Sequence, residues 1–340
     1  MSPRQSPLCR LLNPPLARLH SLVRHPRTPS FPTSFVIETT SRCNLNCRMC
    51  PRRDMRRPAQ DMTPELFYRL IDQMVPYDGA THVRFLALHW FGEPLLHPQL
   101  LELVAYAGER LPGLLRYGQE HNAMRGLTLS TNATLLNEPA AQGLLDSPLT
   151  WLGVSVDGSS AETYESLRCG GTFAQVEAGV EGLLRLNAQS QRELPVIAIQ
   201  VIATESTRPE FARCVERWQA LAQGRANVRV ELKPYTDWAG QVEAPELCRP
   251  DARRGFLYLD CGRLYDTLVI GAGGEIGLCC YDVQAEGCLG NADERTIAEI
   301  WQGERLQQLR RKMRWGRLGA LPLCANCQMG RKYPSDLLRR

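Results

Sequence analysis

Three cysteines within eight residues place the strongest constraint on this 340-residue chain. Cys43, Cys47 and Cys50 follow the spacing CxxxCxxC. A closed structural metal site takes four protein ligands, whereas this run supplies three. Thiolates favour iron–sulfur clusters or zinc. The motif therefore predicts a metal centre with one open position, at which a substrate or cosubstrate binds.

Other interpretations of these cysteines are less favourable. A structural zinc site pairs CxxC with a second ligand pair, and the step from Cys43 to Cys47 does not fit that spacing. Thirteen unevenly distributed cysteines argue against a chance group of thiols. Pro14 and Pro15 interrupt the only early apolar stretch, so no secretory signal is indicated. We therefore predict a cytoplasmic protein without disulfides.

The cysteine run resembles that of the radical S-adenosylmethionine (SAM) enzymes. The resemblance implies a [4Fe-4S] cluster held by Cys43, Cys47 and Cys50, whose open iron chelates SAM. In that family, an electron from the cluster cleaves SAM, and the resulting 5'-deoxyadenosyl radical abstracts a hydrogen atom from the substrate. A flavodoxin or ferredoxin is the electron donor that the resemblance implies.

From Phe35 onward, short β-branched runs alternate with helical periodicity. This alternation predicts βα units around a parallel sheet. Thr63 and Pro64 mark one helix start, followed by an apolar stripe. The fold class predicted is α/β, a partial (β/α)6 barrel of the radical SAM type with a small C-terminal domain. The six predicted strands are residues 35–39, 83–88, 127–131, 151–157, 196–203 and 228–234.

Polar motifs follow the predicted strands, where the site of such a barrel lies. The resemblance implies that Gly92, Glu93 and Pro94 bind the SAM amino group, with glycine allowing the backbone to approach the ligand. It also implies that Arg168 meets the SAM carboxylate. Four further side chains are expected to reach the ribose and methionine parts: Ser130, Asn132, Ser155 and Asp157. Ala133 stands where the family commonly has glycine, so we expect no positive φ there.

A second cysteine set consists of Cys261, Cys279, Cys324 and Cys327. Four ligands form a closed site. The set resembles the SPASM domain and its shortened form, Twitch, and implies one auxiliary [4Fe-4S] cluster. A four-cysteine zinc site is the alternative. Two thiols are spare, Cys280 and Cys288, and Cys280 could exchange roles with Cys279.

The chain is predicted to divide into a basic, proline-rich mobile tail (1–33), a radical SAM core (34–240), a SPASM/Twitch domain (241–330) and a basic C-terminal tail (331–340). The net charge is +4, and residues 301–340 hold ten Lys/Arg and two acidic residues. A solvated face or an acidic redox partner explains this charge without nucleic acid, because no binding motif accompanies it. The sequence contains no run of eighteen apolar residues, so no membrane span is predicted.

The substrate is predicted to be a small molecule or a peptide. The spacing from Cys261 to Cys327 resembles that of 2-deoxy-scyllo-inosamine dehydrogenase-type enzymes, which favours dehydrogenation of a hydroxyl-bearing small molecule. A peptide-modifying maturase is an alternative, although a 33-residue tail is too short for a leader-binding domain. Two further alternatives are a sugar epimerase and a non-catalytic iron–sulfur electron carrier. The epimerase needs a hydrogen-donating thiol, such as Cys280, Cys214 or Cys169.

Candidate catalytic residues are Tyr235 and Asp237, after the sixth strand, and Cys280. Trp238 is expected beside them at the barrel mouth. The arginine cluster at positions 52, 53, 56 and 57 is interpreted as a solvated loop, with binding of an anionic substrate or a flavodoxin as its alternative role.

Overall fold

The structure is a computed structural model, and it describes residues 7–25, 28–78, 83–121, 124–190, 192–244, 246–247, 257–258, 261–287, 289–317, 319, 321–329 and 331–332. The strands are β1 Ser34–Ile37, β2 Phe85–Ala87, β3 Gly126–Thr131, β4 Trp151–Ser155, β5 Val196–Ala203, β6 Val228–Pro234, β7 Leu257–Tyr258, β8 Thr267–Ile270, β9 Ile276–Gly277 and β10 Arg331–Lys332. The helices are α1 Pro7–Arg24, α2 Pro64–Met74, α3 Leu100–Arg110, α4 Pro112–His121, α5 Glu138–Asp146, α6 Ala161–Leu167, α7 Phe173–Gln189, α8 Phe211–Leu221, α9 Arg263–Asp266, α10 Ile297–Trp301, α11 Glu304–Arg314 and α12 Pro322–Asn326.

One sheet contains all six predicted strands. Its order is β6-β5-β4-β3-β2-β1-β8-β9, and every neighbouring pair from β6 to β8 is parallel. The predicted α/β fold with a parallel sheet is therefore confirmed. The carboxyl ends of β1 to β6 lie along one edge, so the motifs that follow these strands meet there.

The strand β8 was not predicted, and it comes from the region assigned to the C-terminal domain. It pairs in parallel with β1, with Ser34 opposite Thr267 and Ile37 opposite Ile270. The short antiparallel β9 follows it. The two predicted domains therefore share one sheet.

The main core lies between the sheet and its helices. On β1, Phe35 and Ile37 belong to this core, whereas Val36 joins a separate cluster on the opposite, inner face. This alternation follows from the two-residue period of a strand. The predicted stripe on α2 is buried, and the Thr63 side chain caps that helix by accepting from the Leu66 N–H. The stripe is Leu66, Phe67, Leu70, Ile71 and Met74.

The N-terminal segment differs from the tail predicted for residues 1–33, because Pro7–Arg24 form helix α1. Asn13, Ala17 and Ser21 recur every four residues and are buried. The Asn13 Nδ2 donates to the Gly316 carbonyl at 3.2 Å, just beyond α11. Small side chains on this face let α1 lie close to α11. The two prolines inside α1 argued against a helix here, so the four-residue spacing of these side chains was not interpreted as helical. Apart from Arg331 and Lys332, the predicted C-terminal tail lies outside the described residues.

None of the described helices combines the length and the apolar composition of a membrane-spanning segment.

Candidate functional site

The CxxxCxxC loop follows β1 and is held by backbone hydrogen bonds. Its Asn46 N–H donates to the Cys169 carbonyl at 2.7 Å, and its Arg48 N–H donates to the Leu167 carbonyl at 2.9 Å. Leu167 is the last residue of α6, and Cys169 lies two residues beyond it. The loop that carries the three cysteines is therefore fixed against the loop that follows the fourth strand.

The three thiols are largely shielded from solvent, with Cys47 buried and Cys43 and Cys50 half-buried. Burial raises the pKa of all three, that of Cys50 to about 11. The Asn132 Nδ2 lies 3.9 Å from the Cys43 Sγ, and the Arg168 Nη1 lies 3.9 Å from the Cys47 Sγ. This donor set fits a cluster with three thiolate ligands, since polar donors approach sulfur atoms that become charged on metal binding.

Gly92 is required by packing against the cysteine loop. A Cβ at this position would lie 1.8 Å from the Thr40 carbonyl oxygen and 2.9 Å from that of Arg42. The neighbouring Glu93 N–H donates to the Arg42 carbonyl at 2.8 Å. The absence of a side chain at Gly92 thus lets the loop after β2 pack against the backbone of the cysteine loop. The sequence had suggested only a close approach to a ligand.

The Glu93 carboxylate joins the ends of β2 and β3. It is buried and accepts hydrogen bonds from the Thr131 hydroxyl and the Asn132 N–H, both at 2.7 Å, and from the Leu95 N–H at 3.1 Å. Burial raises its pKa, and these donors oppose that rise. Pro94 begins the short 3-10 turn that follows. Glu93 therefore positions the loop from within the protein.

The turn after β3 contradicts one expectation, because Ala133 has a positive φ of 63°. Its N–H donates to the Thr131 hydroxyl at 3.0 Å, and Gly179 of α7 lies so close that an added Cβ would be 2.9 Å from the Ala133 carbonyl oxygen. These contacts fix the left-handed conformation that glycine normally adopts. In the same turn, the Asn132 Nδ2 donates to the Asn44 Oδ1 at 3.0 Å.

Asp157 and Arg168 form a buried ion pair beside Cys47. The Arg168 Nε and Nη2 lie 2.7 and 2.6 Å from the Asp157 Oδ2, and the Asp157 Oδ1 accepts from the Ile202 N–H at 2.6 Å. Burial lowers the pKa of Arg168, but the Asp157 carboxylate outweighs it and the pKa is raised. The guanidinium is therefore a fixed cation next to the cysteine loop.

Ser130 and Ser155 occupy the carboxyl-end region of β3 and β4, and both are half-buried. The Ser130 Oγ faces Gly153 of β4, since a Cβ on that glycine would lie 2.9 Å away. The predicted SAM-binding side chains thus come from adjacent strands and reach the same edge of the sheet.

Arg57 is not part of a solvated loop, contrary to the sequence interpretation. Its guanidinium lies 2.8 Å from the Glu38 carboxylate, also contacts Glu275, and stacks over the Trp90 ring at 4.6 Å. Glu38 is fully buried, and burial raises its pKa despite Arg57. Because Glu38 follows β1 and Glu275 precedes β9, Arg57 ties the core to the C-terminal region.

The second cysteine set surrounds one cavity, lined by Cys261, Cys279, Cys324 and Cys327. The pKa of Cys324 is raised to about 12 by burial and by the nearby Cys261 and Cys327. Among the described residues, no three His, Cys, Asp or Glu side chains converge as the ligands of a single ion do. The four thiols around this cavity are the ligand set predicted for the auxiliary cluster.

Cys280 follows Cys279 in sequence, but it is not among the residues that line this cavity. It packs against the inner-face cluster of Val36, Ala87 and Val269, and its carbonyl accepts from the Trp90 Nε1 at 2.9 Å. Cys288 lies outside the described residues.

Three residues after β6 connect the two cysteine sites. Tyr235 packs against the cluster that includes Cys47, and the Trp238 Nε1 donates to the Met49 carbonyl at 2.9 Å. The Trp238 ring meets the Tyr281 ring edge-on, with centroids 5.2 Å apart, and Tyr281 lines the second cavity. Asp237 accepts from the Gln328 Nε2 at 3.3 Å, next to Cys327.

His89 was missed by the sequence analysis. It follows β2, three residues before Gly92, and its Nδ1 is buried with no hydrogen-bond partner among the described residues. Burial lowers its pKa to about 4, so the ring is neutral at physiological pH. Its place after a strand end was the available signal.

Known proteins share both parts of this arrangement. The profile of the Radical SAM superfamily matches residues 37–193, and that of SPASM, an iron–sulfur cluster-binding domain, matches residues 261–328. The tungsten-containing aldehyde ferredoxin oxidoreductase cofactor-modifying protein of Pyrococcus furiosus is 26% identical over 185 residues, covering 52% of this chain. The match spans 46% of that relative, about half its length.

Two solved structures share the fold over most of the chain. The complex of BtrN with AdoMet and 2-DOIA has a TM-score of 0.55 at 19% identity, covering 87% of this chain and 92% of BtrN. Streptococcus suis SuiB bound to the precursor peptide SuiA has a TM-score of 0.60 at 16% identity, covering 86% of this chain and 70% of SuiB. By the two profile matches, the chain contains a Radical SAM superfamily domain, which implies a SAM-binding [4Fe-4S] cluster, followed by a SPASM iron–sulfur cluster-binding domain.

Proposed function

We propose that this protein dehydrogenates a hydroxyl-bearing small molecule in a SAM-dependent radical reaction. Cys43, Cys47 and Cys50 hold the SAM-binding cluster in this proposal. When bound, cluster and SAM supply a 5'-deoxyadenosyl radical that abstracts hydrogen from a substrate carbon. The protein's own residues bind SAM, orient the substrate and accept its hydroxyl proton.

The observation that carries the proposal is the cavity lined by four cysteines. Four protein ligands leave no open iron on an auxiliary [4Fe-4S] cluster, so a substrate does not ligate it. Electron transfer then remains as its chemical role, apart from a structural one. A dehydrogenase needs such an acceptor, because the substrate radical must lose one more electron to form a carbonyl group.

We assign SAM binding to the residues at the carboxyl edge of the sheet. Gly92, Glu93 and Pro94 form the amino-group site, and the fixed Arg168 cation provides the carboxylate site. Asp157 acts partly through Arg168, because its carboxylate holds the guanidinium in place. The ribose and methionine parts are assigned to Ser130, Asn132, Ser155 and Asp157.

The substrate is proposed to bind near Tyr235 and Asp237, between the cysteine loop and the second cavity. Either side chain serves as the candidate proton acceptor, since both follow β6 beside Trp238, which contacts both regions.

Epimerisation is the second candidate, and Cys280 favours it. Its thiol packs against inner-face residues of the sheet and is not among the residues that line the four-cysteine cavity. A thiol that donates a hydrogen atom to the substrate would be free of the cluster in this way. A peptide substrate is a further alternative, because the structural neighbour SuiB binds a precursor peptide. An electron carrier without catalysis would not need the SAM-binding motifs.

A flavodoxin or ferredoxin is the proposed electron donor and the cytoplasm the proposed location, because the clusters need a low-potential reductant and reduced thiols.

The test screens cyclitols, aminocyclitols and sugars with reconstituted protein, SAM and dithionite under anaerobic conditions in deuterium oxide. Substrate-dependent release of 5'-deoxyadenosine supports dehydrogenation if the product, after return to ordinary water, is two mass units lighter than the substrate and carries no deuterium on the oxidised carbon. A product of unchanged oxidation state that carries one solvent deuterium at carbon rejects it in favour of epimerisation.

A further inference from the structure

We propose that Arg263 raises the reduction potential of the auxiliary cluster and so makes it a better electron acceptor. This inference rests on the proposed function, in which that cluster takes the second substrate electron. Arg263 begins α9, two residues after Cys261, and it lines the cavity together with the four cysteines.

The Arg263 side chain lines the same cavity as the cysteines. Among the described residues, no carboxylate lies within the 4.0 Å of an ion pair with Arg263. Asp266 on α9 also acts on Arg263 electrostatically. A partly buried cation needs a compensating anion. Cluster thiolates supply that anion.

Two carboxylates lie near the cavity, and both accept hydrogen bonds. The Asp282 carboxylate accepts from the Leu278 N–H at 2.9 Å and from the N–H groups of Glu286 and Gly287 at 3.0 and 2.9 Å. Asp266 accepts from the Thr267 hydroxyl at 2.6 Å. Both carboxylates keep their charge and act on the site, Asp282 on Cys324 and Asp266 on Cys280. Among the described residues that line the cavity, Arg263 is the only cation, and it stays protonated at all relevant pH values.

The sign of the effect follows from charge. A [4Fe-4S] cube with four thiolates is more negative by one unit after reduction, so a nearby cation stabilises the reduced form more than the oxidised form. In the proposed step, the substrate radical loses its hydroxyl proton to a base and one electron to the oxidised cluster, and a C=O bond forms. A flavodoxin or ferredoxin then removes the electron.

The experiment measures the auxiliary cluster alone. In a protein carrying C43A, C47A and C50A, a redox titration followed by electron paramagnetic resonance gives its midpoint potential without substrate. Arg263→Gln and Arg263→Met should each lower the reduced-to-oxidised ratio at a fixed potential about tenfold or more, which is about 59 mV for one electron. Arg263→Lys should stay within about threefold, because it keeps the charge.

Arg185→Gln is the matched control, since Arg185 is an exposed residue of α7 that pairs with Glu138. It should leave the potential unchanged. An unchanged potential in Arg263→Gln or Arg263→Met at full iron content would overturn the inference. So would loss of the cluster from both neutral variants while Arg263→Lys retains it, because Arg263 would then serve assembly. The redox titration uses no substrate, so its result does not depend on whether the proposed dehydrogenation is correct.

Discussion

The ion pair between Arg57 and Glu38 allows a quantitative test of how the core is tied to the C-terminal region. Replacing Arg57 by Met removes the guanidinium but keeps an apolar stem for Trp90. Glu38 is fully buried and would retain only the N–H groups of Phe91 and Ala272, at 3.2 and 3.4 Å. Removing one partner of a buried pair costs about 3–5 kcal/mol, because the other charge stays buried.

The same variant should show a specific pH dependence. Burial already raises the pKa of Glu38 above its ordinary value of 4.5, and Arg57 opposes that rise. Without Arg57 the folded-state pKa rises further. A carboxyl with a raised folded pKa contributes stability fully below the unfolded pKa and loses it as the pH rises through the folded pKa. The deficit of Arg57→Met should therefore grow from about pH 4.5 upward.

Urea unfolding between pH 4.5 and 8 measures this effect. Arg185→Met is the control, because the Arg185–Glu138 pair is exposed and its loss should cost less than about 1 kcal/mol. The double variant with Glu38→Gln should recover part of the stability at pH 8, since it removes the stranded charge. A deficit below about 1 kcal/mol, or one that does not change with pH, would refute this reasoning.

Three further predictions test the local geometry. Gly92→Ala should displace the cysteine loop and cost about 1–3 kcal/mol, with iron lost from the first site, because its Cβ would lie 1.8 Å from the Thr40 oxygen. Gly182→Ala, whose Cβ meets nothing within 4 Å on α7, should be neutral or stabilising, and equal losses in both would contradict the account. Ala133→Gly should stabilise the protein by up to about 1 kcal/mol in urea unfolding by relieving the positive φ, and a destabilisation would show that the turn is unstrained. The pKa of His89 is lowered to about 4, so its ring should show no NMR titration between pH 5.5 and 8. The free energy of unfolding should fall as the pH drops below 6.5, and His89→Gln should remove this dependence. An NMR titration midpoint of His89 near 6.5 would disprove its burial.

Much of the fold follows from local sequence patterns. The six core strands are short, mostly apolar runs of three to eight residues between helical segments. Parallel strands bring the motifs that follow them to one edge of the sheet. The first three cysteines could be identified because their spacing lies within one loop. The α2 stripe was predictable for the same local reason.

Long-range relations were not predictable. The run Thr267–Ile270 is short, and its pairing with β1 depends on tertiary contacts over more than 200 residues. Arg57 appeared to belong to a solvated arginine cluster because its partner Glu275 is 218 residues away. The positive φ of Ala133 depends on Thr131 and on Gly179 of α7, which no local pattern indicates.

The iron content of two matched cysteine variants tests the central claim, that one chain holds two separate iron–sulfur sites of which one cleaves SAM. Reconstituted wild-type protein should contain about eight irons, and the C43A/C47A/C50A and C261A/C279A/C324A/C327A variants about four each. The first variant should release no 5'-deoxyadenosine from SAM and dithionite, whereas the second should still release it. Full SAM cleavage by the first variant, or one zinc and no iron in it, would contradict the account.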